Sequence, residues 1–455
     1  MKKIKAEIIA DSIDNKGNRI TSYILTYPRF IHGELMTHRM FSRNSASSRA
    51  IPFNKVLKMV EEDPFIPIAW QKHHKGMQGN KYITDKKISD FKKGVWLNAR
   101  NKAIQSAKEL YENLSVIKKG TINEIIGSVI EDTGVTKQLC NRLLEPFMWH
   151  TVLVTATEFE NFFKLRSPSY LVGGGKLNKR LKPFKSKKDA IWKYPELKEL
   201  TNLEWLEHDE SQAEIHIQAL AEAMRDAKNE SIPKELKPGE WHIPFGDKIS
   251  YSNDIDYTTT KVDDIDFHRS RQMFIIKDGE VILAEKGTSK SHTEYFGDVT
   301  DIVRGFRLNG TVYTYMNNFT PVESGIVQQY FEDCTCIAGA KDFFNYIYGE
   351  NPLIKIASAR CARLSYMTFD NNTDYQKDIE LHDHLLKSGH MSPFEHCARV
   401  MSDNEYDIFF KGTLEYDSSG LNKELVGTSN EDMHGWCSNF KGFIPYRYLL
   451  ENNYA

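Results

Sequence analysis

The chain begins with two short segments that alternate apolar and polar residues on either side of a turn-forming sequence. Residues 3–10, KIKAEIIA, alternate clearly, and residues 19–27, RITSYILTY, do so less regularly. The intervening DNKGN is rich in residues that favour turns, and Pro28 ends the second segment. Alternation places every second side chain on the same face of a strand, so this pattern predicts an antiparallel β-hairpin.

Apolar residues at helical spacing follow the hairpin and recur along the chain. They predict helices within residues 29–41, 95–114, 135–145, 155–165, 212–224, 355–366 and 374–388. Pro233 and Pro238 stop the helix that begins near Gln212, because proline cannot continue a helix. The chain is therefore expected to combine strands with several amphipathic helices.

Two stretches look like insertions into this pattern. Residues 167–190 contain Gly173-Gly174-Gly175, followed by a lysine- and arginine-rich run from Lys176 to Lys188. That basic run is interpreted either as a solvated insertion or as a lid over an anionic ligand. Residues 247–350 are rich in Asp, Thr, Tyr and Gly and are strand-like, with no recognisable chemical motif.

The charge balance and the cysteines exclude several classes of protein. The chain has 60 Lys and Arg residues against 62 Asp and Glu residues, so no overall field favours nucleic acid or a membrane. No run of about eighteen apolar residues occurs, and the N-terminal segment lacks the features of a secretory signal. The six cysteines form no C-x-x-C pair and no zinc-ligand cluster, so we expect neither a disulfide framework nor a metal site. A soluble cytoplasmic protein is the expectation.

The densest polar segment is THRMFSRNSASSRAIP, residues 37–52. A segment with this many donors cannot be buried in an apolar core without leaving some of them unpaired. Three arginines and several hydroxyls within one loop suit a phosphorylated, planar ligand, because guanidinium groups offer forked donors to phosphate. By composition alone, a solvated Ser/Arg-rich loop is an equally good interpretation.

The spacing within this segment is more specific than its composition. The segment resembles the R-H-R-x-x-S-x-N-x-x-S-x-R signature of flavin-dependent thymidylate synthases. Thr37 replaces the first arginine of that signature, and Ser45 replaces the glutamate that usually follows the asparagine. The residues in register are His38, Arg39, Ser42, Asn44, Ser47 and Arg49.

Further segments resemble the same family. Residues 141–166 are similar to its arginine–x–x–x–proline segment and its N-F-x-x-L-R helix end, through Arg142, Pro146, Asn161 and Arg166. Gln212 and Glu214 supply a pattern that in the family follows Leu-Arg more closely. Residues 362–366, ARLSY, and 389–396, GHMSPFEH, resemble the A-R-V-S-Y and G-H-x-S-P-F-E-H motifs.

The order of these motifs is reversed relative to the family, which is similar to the circular permutation of phage-encoded members. The resemblance implies an α/β (α+β) fold with a central antiparallel sheet flanked by helices. It implies a catalytic domain built from residues 1–246 and 351–455, with a basic insertion at 167–210 and an insertion of unknown role at 247–350. It also implies a homotetramer, in the host cytoplasm if the chain is viral.

The resemblance implies that dUMP is converted to dTMP, with methylenetetrahydrofolate as carbon donor and NADPH-reduced FAD as hydride source. Arg166 would then polarise the uracil as the catalytic residue. The dUMP-binding residues implied are Glu34, Ser45, Ser47, Arg49, Arg142 and Arg166, with the backbone N–H groups of residues 45–48 contributing to the phosphate site. The FAD-binding residues implied are Thr37, His38, Arg39, Thr155, Thr157, Asn161, His390, Ser392 and Glu395, with Thr155 and Thr157 on the helix leading to Arg166.

Three alternatives concern individual residues and the reaction itself. Arg166 could instead be a cation that stabilises a helix C-terminus. The enzyme could be a flavin- and folate-dependent hydroxymethylase of pyrimidine nucleotides, since Thr37, Ser45 and Glu34 depart from the family pattern. The chain could also be an inactive, nucleotide-binding homologue. In the flavin-dependent reaction no cysteine nucleophile is needed, so all six cysteines are expected to be packed residues.

Overall fold

A computed structural model describes residues 4–75, 79, 81–112, 134–173, 181–249, 352–369, 374–401 and 440–451, together with the backbone of five strands between 272 and 336. Part of the predicted insertion lies outside the described residues, namely Gly174, Gly175 and the first part of the basic run, 176–180. The chain divides into two compact units. The first comprises Met1–His242, Cys361–Asn372 and Val400–Phe443, and the second comprises Ile243–Arg360, Thr373–Arg399 and Ile444–Ala455.

Strands and helices alternate irregularly along the chain. The strands are β1 Lys5–Ile13, β2 Arg19–Pro28, β3 Ser42–Ser45, β4 Trp149–Ala156, β5 Tyr170–Val172, β6 Lys182–Phe184, β7 Lys234–Glu235, β8 Trp241–His242, β9 Gln272–Lys277, β10 Glu280–Leu283, β11 Asp301–Leu308, β12 Thr311–Asn317, β13 Cys334–Cys336, β14 Ala398–Val400 and β15 Phe443–Pro445. The α-helices are α1 His32–Met36, α2 Phe53–Glu62, α3 Lys86–Tyr111, α4 Lys137–Leu144, α5 Glu160–Arg166, α6 Lys187–Lys193, α7 Asn202–Glu207, α8 Ile215–Glu230, α9 Pro352–Arg363, α10 Tyr375–Lys387 and α11 Tyr446–Glu451.

The first unit is built on a five-stranded sheet of order β3-β4-β2-β1-β7. The predicted hairpin is confirmed, because β1 and β2 pair antiparallel from Lys5 opposite Thr26 to Ile13 opposite Arg19. Gly17 takes φ +84° in the connecting turn, a conformation that glycine adopts without strain. β4 pairs antiparallel with β2 and with β3, and only the two-residue β7 is parallel to its neighbour. The expected central antiparallel sheet is therefore present.

Helices α5 and α8 share an apolar core with this sheet. Tyr23 and Leu25 of β2 and Val154 of β4 belong to one buried cluster with side chains of both helices. Glu214 caps the N-terminus of α8, because its carboxylate accepts the backbone N–H groups of His216 at 2.7 Å and Ile217 at 3.2 Å. Such a cap satisfies donors that have no partner within the helix. The helix predicted from Gln212 is thus confirmed, with a later start and a longer C-terminal half.

Helices α2, α3 and α4 form a second apolar cluster with the segment that follows β3. Val56 of α2, Ala107 of α3 and Leu144 of α4 are fully buried in it. The predicted helix 95–114 is confirmed as the C-terminal part of α3, which starts earlier because Asp85 caps it by accepting the N–H of Ile88 at 2.9 Å. The same cluster includes Ala46 and Ile51, so these helices pack against the polar segment through its apolar side chains.

The predicted helix at 155–165 is wrong in its first part. Residues 149–156 form β4, every residue of which is buried, and α5 begins only at Glu160. A strand that is buried on both faces can carry apolar residues at neighbouring positions. Such a run, followed by Phe159 and Phe162, is also compatible with the spacing of a helix. Thr155 therefore lies in a strand, and Thr157 lies between that strand and α5. The helix predicted at 29–41 is likewise shorter, a 3₁₀ turn followed by α1.

The second unit contains strands β9 to β13, which form a sheet of order β10-β9-β11-β12-β13 with antiparallel pairing throughout. The strand-like interpretation of 247–350 is confirmed at these positions. The helix predicted at 374–388 is confirmed as α10. Asp374 caps it by accepting the N–H of Lys377 at 3.2 Å. Across the described parts of the chain, none of the helices has the length and apolar character needed to cross a bilayer.

Candidate active site

Arg166 ends α5, and its guanidinium contacts two residues of the α1 region. Nε–H donates to Nε2 of His38 at 3.1 Å, and Nη1–H donates to Oε2 of Glu34 at 3.4 Å. The Arg166 side chain is 23% exposed and that of Glu34 is 37% exposed, so the pair is partly shielded from solvent but still accessible. The family resemblance placed these three residues at a nucleotide and flavin site, and the structure brings them together.

His38 is a neutral imidazole in this arrangement. A guanidinium carries only donors, so Nε2 of His38 accepts and its ring proton lies on Nδ1. The ring is stacked near Phe41 at a centroid distance of 6.1 Å and meets the edge of Phe162 at 4.8 Å. Burial among these rings, followed by the charges of Arg166 and Arg43, lowers the pKa of His38 to about 4.

Glu34 lies between charges of opposite sign. Burial is the main effect that raises the pKa of its carboxyl, and the charge of Glu214 raises it further, whereas Arg166 and His216 act in the other direction. Glu214 is held in place, because Oε1 accepts from Nδ1 of His216 at 2.5 Å. His216 is oriented in turn by the backbone N–H of Ile68, which donates to Nε2 at 3.1 Å. The site thus combines a fixed cation with a carboxyl whose proton affinity is raised.

Arg43 is a functional candidate that the sequence did not single out. Its Nη1 donates to the carbonyl oxygens of Met36 at 3.0 Å and His38 at 3.2 Å. These bonds fix the backbone of the turn that carries Thr37, His38 and the exposed Arg39. The signal available in the sequence was one more arginine within the polar segment. Its role is to shape the loop.

The Ser45–Arg49 loop, for which a phosphate site was predicted, is held by backbone bonds. The N–H of Ala46 donates to the carbonyl of Thr151 at 2.9 Å, and the N–H of Ser47 donates to the carbonyl of Ser365 at 3.0 Å. Two of the N–H groups assigned to phosphate are therefore engaged within the protein, and that part of the prediction is wrong. The hydroxyl of Ser47 accepts the N–H of Arg49 at 3.3 Å.

Helix α4 lies against this loop. Nδ2 of Asn141 donates to the carbonyl oxygens of Ser48 at 2.7 Å and Ile51 at 3.1 Å. Arg142 follows Asn141 directly and is exposed, as is Arg49 on the loop. The structure therefore places the elements that carry both predicted phosphate-binding arginines side by side. Asn141 was another residue that sequence reasoning did not assign.

The A-R-L-S-Y segment also meets this loop within the first unit. Besides the bond from Ser47 to Ser365, Nδ2 of Asn44 donates to the carbonyl of Cys361 at 3.3 Å. Lys55 donates to the carbonyl of Tyr366 at 3.3 Å. Two motifs more than three hundred residues apart in the chain are thus neighbours, which the resemblance implied and which local sequence patterns could not show.

The residues predicted to contact flavin occupy different environments. Thr37 and Asn161 are exposed, and the Thr37 hydroxyl donates to the Glu34 carbonyl at 2.7 Å. The Thr155 hydroxyl is fully buried 2.6 Å from that of Ser22. The hydroxyl of Thr157 accepts the N–H of Lys441 at 3.0 Å.

The other three flavin candidates belong to the second unit. His390 follows Gly389, which has φ +71°, and both His390 and Ser392 are exposed. Glu395 is half-buried and accepts from Nη1 of Arg447 at 2.7 Å.

A buried hydrogen-bonded network lies behind Thr155. Nε2 of His242 is 2.8 Å from the Ser22 hydroxyl, and Nδ1 is 2.9 Å from the Ser12 hydroxyl. Burial lowers the pKa of His242 to about 3, so this ring is neutral. The network satisfies every polar atom of an imidazole that has no exposed surface, which makes it a structural feature of the sheet.

The side chains of three of the six cysteines are described, those of Cys140, Cys361 and Cys397, and all three are buried free thiols. Burial raises the pKa of the Cys397 thiol to about 12 and also raises that of Cys140. Neither thiol is therefore activated as a nucleophile. Among the residues described, no group of three His, Cys, Asp or Glu side chains is arranged to hold a metal ion.

Comparisons with known proteins gave weak structural likenesses. No protein-family model matches the chain, and no curated protein matches it significantly. The UMP/dUMP methylase PolB from Streptomyces cacaoi bound with 5-Br dUMP is similar over 46% of this chain and 65% of its own length, at 13% identity and a TM-score of 0.28. The same enzyme bound with 5-Br UMP is similar over 50% of this chain and 89% of its own length, at 13% identity and a TM-score of 0.29. Likenesses this weak do not establish a shared fold or reaction.

Proposed function

We propose that this protein is a flavin-dependent thymidylate synthase that converts dUMP to dTMP. Methylenetetrahydrofolate would be the carbon donor, and NADPH would reduce FAD. The observation that carries the proposal is the contact of Arg166 with both Glu34 and His38, since the signature segment and the N-F-x-x-L-R segment meet there. The contact joins residues of two separate motifs that lie 128 positions apart in the sequence, which supports a shared site.

At the pyrimidine end, Arg166 is suited to stabilise negative charge on the ring. A guanidinium directed at a uracil carbonyl oxygen favours charge developing on that oxygen, which makes C5 nucleophilic towards the one-carbon unit. The shielding of Arg166, whose side chain is only 23% exposed, strengthens this effect relative to water. A bond would form between C5 and the methylene carbon, C5 would lose its proton, and the bond from that carbon to the folate nitrogen would break to release tetrahydrofolate. The hydride that completes the methyl group would come from NADPH by way of the reduced flavin.

At the phosphate end, the arrangement of α4 against the Ser45–Arg49 loop supports nucleotide binding. Arg49 and Arg142 are exposed on elements that Asn141 joins through two hydrogen bonds. Two guanidinium groups on neighbouring elements can bind phosphate oxygens through charge-assisted bonds. Ser45 and Ser47 offer hydroxyl donors beside them. The proposed dUMP-binding set is therefore Glu34, Ser45, Ser47, Arg49, Arg142 and Arg166.

The chemistry of the exposed side chains beside His38 fits a flavin nucleotide. The contact of His38 with Phe162 brings the loop of Arg39 next to the start of α5, where Asn161 is exposed. A guanidinium, an amide and the Thr37 hydroxyl together match a diphosphate and the polar edge of a flavin ring. A bound reduced flavin would supply the hydride. This chain's residues would bind and orient it, with His390, Ser392 and Glu395 as further candidates.

The circular permutation, the homotetramer and the cytoplasmic location belong to the same proposal. Purified protein should elute as a tetramer in size-exclusion chromatography with light scattering. It should also retain FAD, and NADPH should bleach the flavin absorbance when oxygen is absent. Protein that binds no flavin under any substrate condition would contradict the assignment.

The decisive experiment identifies the product. The protein is incubated with dUMP, methylenetetrahydrofolate, FAD and NADPH, and the nucleotide is analysed by mass. A methylated nucleotide is the expected result, and omission of NADPH should abolish it. A hydroxymethylated nucleotide would replace the proposal with the hydroxymethylase reaction, and unmodified dUMP with bound flavin would indicate an inactive homologue.

A further inference from the structure

The guanidinium of Arg166 donates through two of its three nitrogens to described residues of the first unit. His38 accepts from Nε at 3.1 Å and Glu34 accepts from Nη1 at 3.4 Å. Within the described residues no protein group accepts from Nη2. Because the guanidinium is planar and its donors are fixed in direction, contacts through two of its nitrogens determine where the remaining donors point.

His38 can perform this role because of its protonation state. A protonated imidazole has two N–H donors and could not accept from Nε of Arg166. Neighbouring positive charge disfavours protonation, and here both Arg166 and Arg43 act on the ring. His38 is 8% exposed as a residue, so its ring has little access to water as an alternative partner.

Aromatic packing keeps the His38 ring in this position. Phe162 meets the ring at 4.8 Å and an interplanar angle of 86°, and Phe41 lies at 6.1 Å on another side. Phe162 and Arg166 are four residues apart on α5 and therefore lie on the same helix face. One face of α5 thus carries both Arg166 and Phe162, the residue that packs against the His38 ring.

We propose that His38 is a positioning residue: as a neutral acceptor it fixes, with Glu34, the guanidinium of Arg166 so that its remaining N–H donors face the pyrimidine. The identity of the ligand in this role rests on the proposed function. The neutral state of His38 does not, because it follows from the hydrogen bond with Arg166. The positioning role differs from a direct flavin contact, the role implied by the family resemblance. It also explains the partnership of Arg166 with Glu34, whose carboxylate would repel a phosphate but aligns a guanidinium.

Three variants separate positioning from packing. His38→Phe preserves an aromatic ring between Phe41 and Phe162 but removes the acceptor, whereas His38→Gln restores an acceptor near the position of Nε2. His38→Phe should reduce kcat/KM for dUMP on the order of a hundredfold, the cost of a misdirected group. His38→Gln should recover a substantial part of that loss. Lys164→Gln, at an exposed position of α5, is the matched control and should behave like the wild type.

Flavin retention and melting temperature are measured on each variant. Wild-type kcat/KM in His38→Phe would overturn the positioning role, as would equal losses in the Phe and Gln variants. Loss of bound FAD in His38→Phe that tracks the loss of turnover would indicate a flavin contact and would also overturn it.

A spectroscopic measurement tests the inference independently of turnover. In ligand-free protein carrying ¹⁵N-labelled histidine and arginine, His38 should show the tautomer protonated on Nδ1 at neutral pH. A scalar coupling should connect Nε of Arg166 with Nε2 of His38 across the hydrogen bond. The other tautomer, or the absence of this coupling, would overturn the inference even if the wild type methylates dUMP. If the expected coupling is present and no product forms, only the proposed function fails.

Discussion

The side-chain amide of Asn141 donates to the carbonyl oxygens of both Ser48 and Ile51, at 2.7 and 3.1 Å. This fully buried residue attaches α4 to the loop that follows β3. Its neighbour Arg142 and the loop residue Arg49 therefore have their backbones held relative to one another. The proposed phosphate site would depend on this attachment, because no carboxylate among the described residues pairs with either arginine side chain.

Replacing Arg49 or Arg142 with Ala should weaken dUMP binding without releasing flavin. Each charge-assisted bond to phosphate contributes about 1.5–3 kcal/mol, so KM should rise roughly tenfold or more. Isothermal titration with dUMP measures the effect directly. Lys58→Ala, an exposed cation on α2, is the control. Unchanged dUMP binding in both arginine variants would show that the phosphate does not bind at this loop.

Asn141→Ala should produce a related but distinguishable defect. It removes two hydrogen bonds from a buried side chain to backbone carbonyl groups, so both the melting temperature and the affinity for dUMP should fall. The arginine variants should lower affinity alone, since their side chains are exposed. Thermal melts with and without dUMP separate these cases. Asn141→Ala with native affinity would show that the attachment of α4 does not matter for binding.

The cysteines should be dispensable for turnover. Cys140, Cys361 and Cys397 are buried, and burial raises the pKa of the Cys397 thiol to about 12. A thiol in that state is a poor nucleophile, and the proposed reaction requires none. Individual Cys→Ser variants at all six positions should retain flavin and near-wild-type kcat. A single variant that folds and binds flavin but does not turn over would indicate attack on the pyrimidine by cysteine.

The hairpin and the long helices could be predicted because their periodicity is local. Alternation in β1 and helical spacing in α3 and α8 each depend on residues within a short window. β4 could not be distinguished in the same way, since a short apolar run is compatible with either a buried strand or a helix. This segment is a strand because it pairs with β2 and β3, and that pairing joins residues far apart in the sequence.

The site shows the same limit. His38, Arg49, Arg142 and Arg166 are predicted from motif spacing, which depends on the ligand of a family and not on the local periodicity of the chain. The contact of Arg166 with His38 spans 128 positions in the sequence, and nothing in local spacing predicts it. Asn141 and Arg43 were not identified because an amide or a guanidinium that binds a backbone carbonyl leaves no characteristic pattern. Residues that support a site are recognised only once the chain is folded.

Acidification should destabilise the protein before its carboxylates titrate. The pKa of His242 is lowered by burial to about 3, against an ordinary value of 6.5. A depressed pKa means that the neutral form contributes its full stability above pH 6.5, and this contribution is lost as the pH falls from there towards 3. The loss is about 1.4 kcal/mol per pH unit within that window for one such histidine. His38, with a pKa lowered to about 4, adds to the effect.

Urea unfolding between pH 8 and pH 5 measures this dependence. The free energy of unfolding should be level down to about pH 6.5, the unfolded histidine value, and should then decrease. In His242→Asn the decrease should be shallower, because one group no longer gains a proton on unfolding. An equal slope in wild type and variant would mean that His242 titrates normally in the folded protein. Comparison of slopes makes the result independent of the variant's absolute stability.

Replacing Arg166 with Ala should abolish carbon transfer while leaving FAD bound. Removal of one charge-assisted donor from a shielded site costs about 3–4 kcal/mol in the barrier, on the order of a hundred- to a thousandfold in rate. Arg166→Lys should restore little, since an ammonium cannot donate to His38, Glu34 and the pyrimidine from one rigid plane. If Arg166 merely stabilised the C-terminus of α5, Ala would lower stability by about 1 kcal/mol at most and leave the rate unchanged. Steady-state rates, flavin absorbance and melting curves on both variants, with Lys164→Ala as control, decide between these roles. Near-wild-type turnover in Arg166→Ala would rule out the catalytic one.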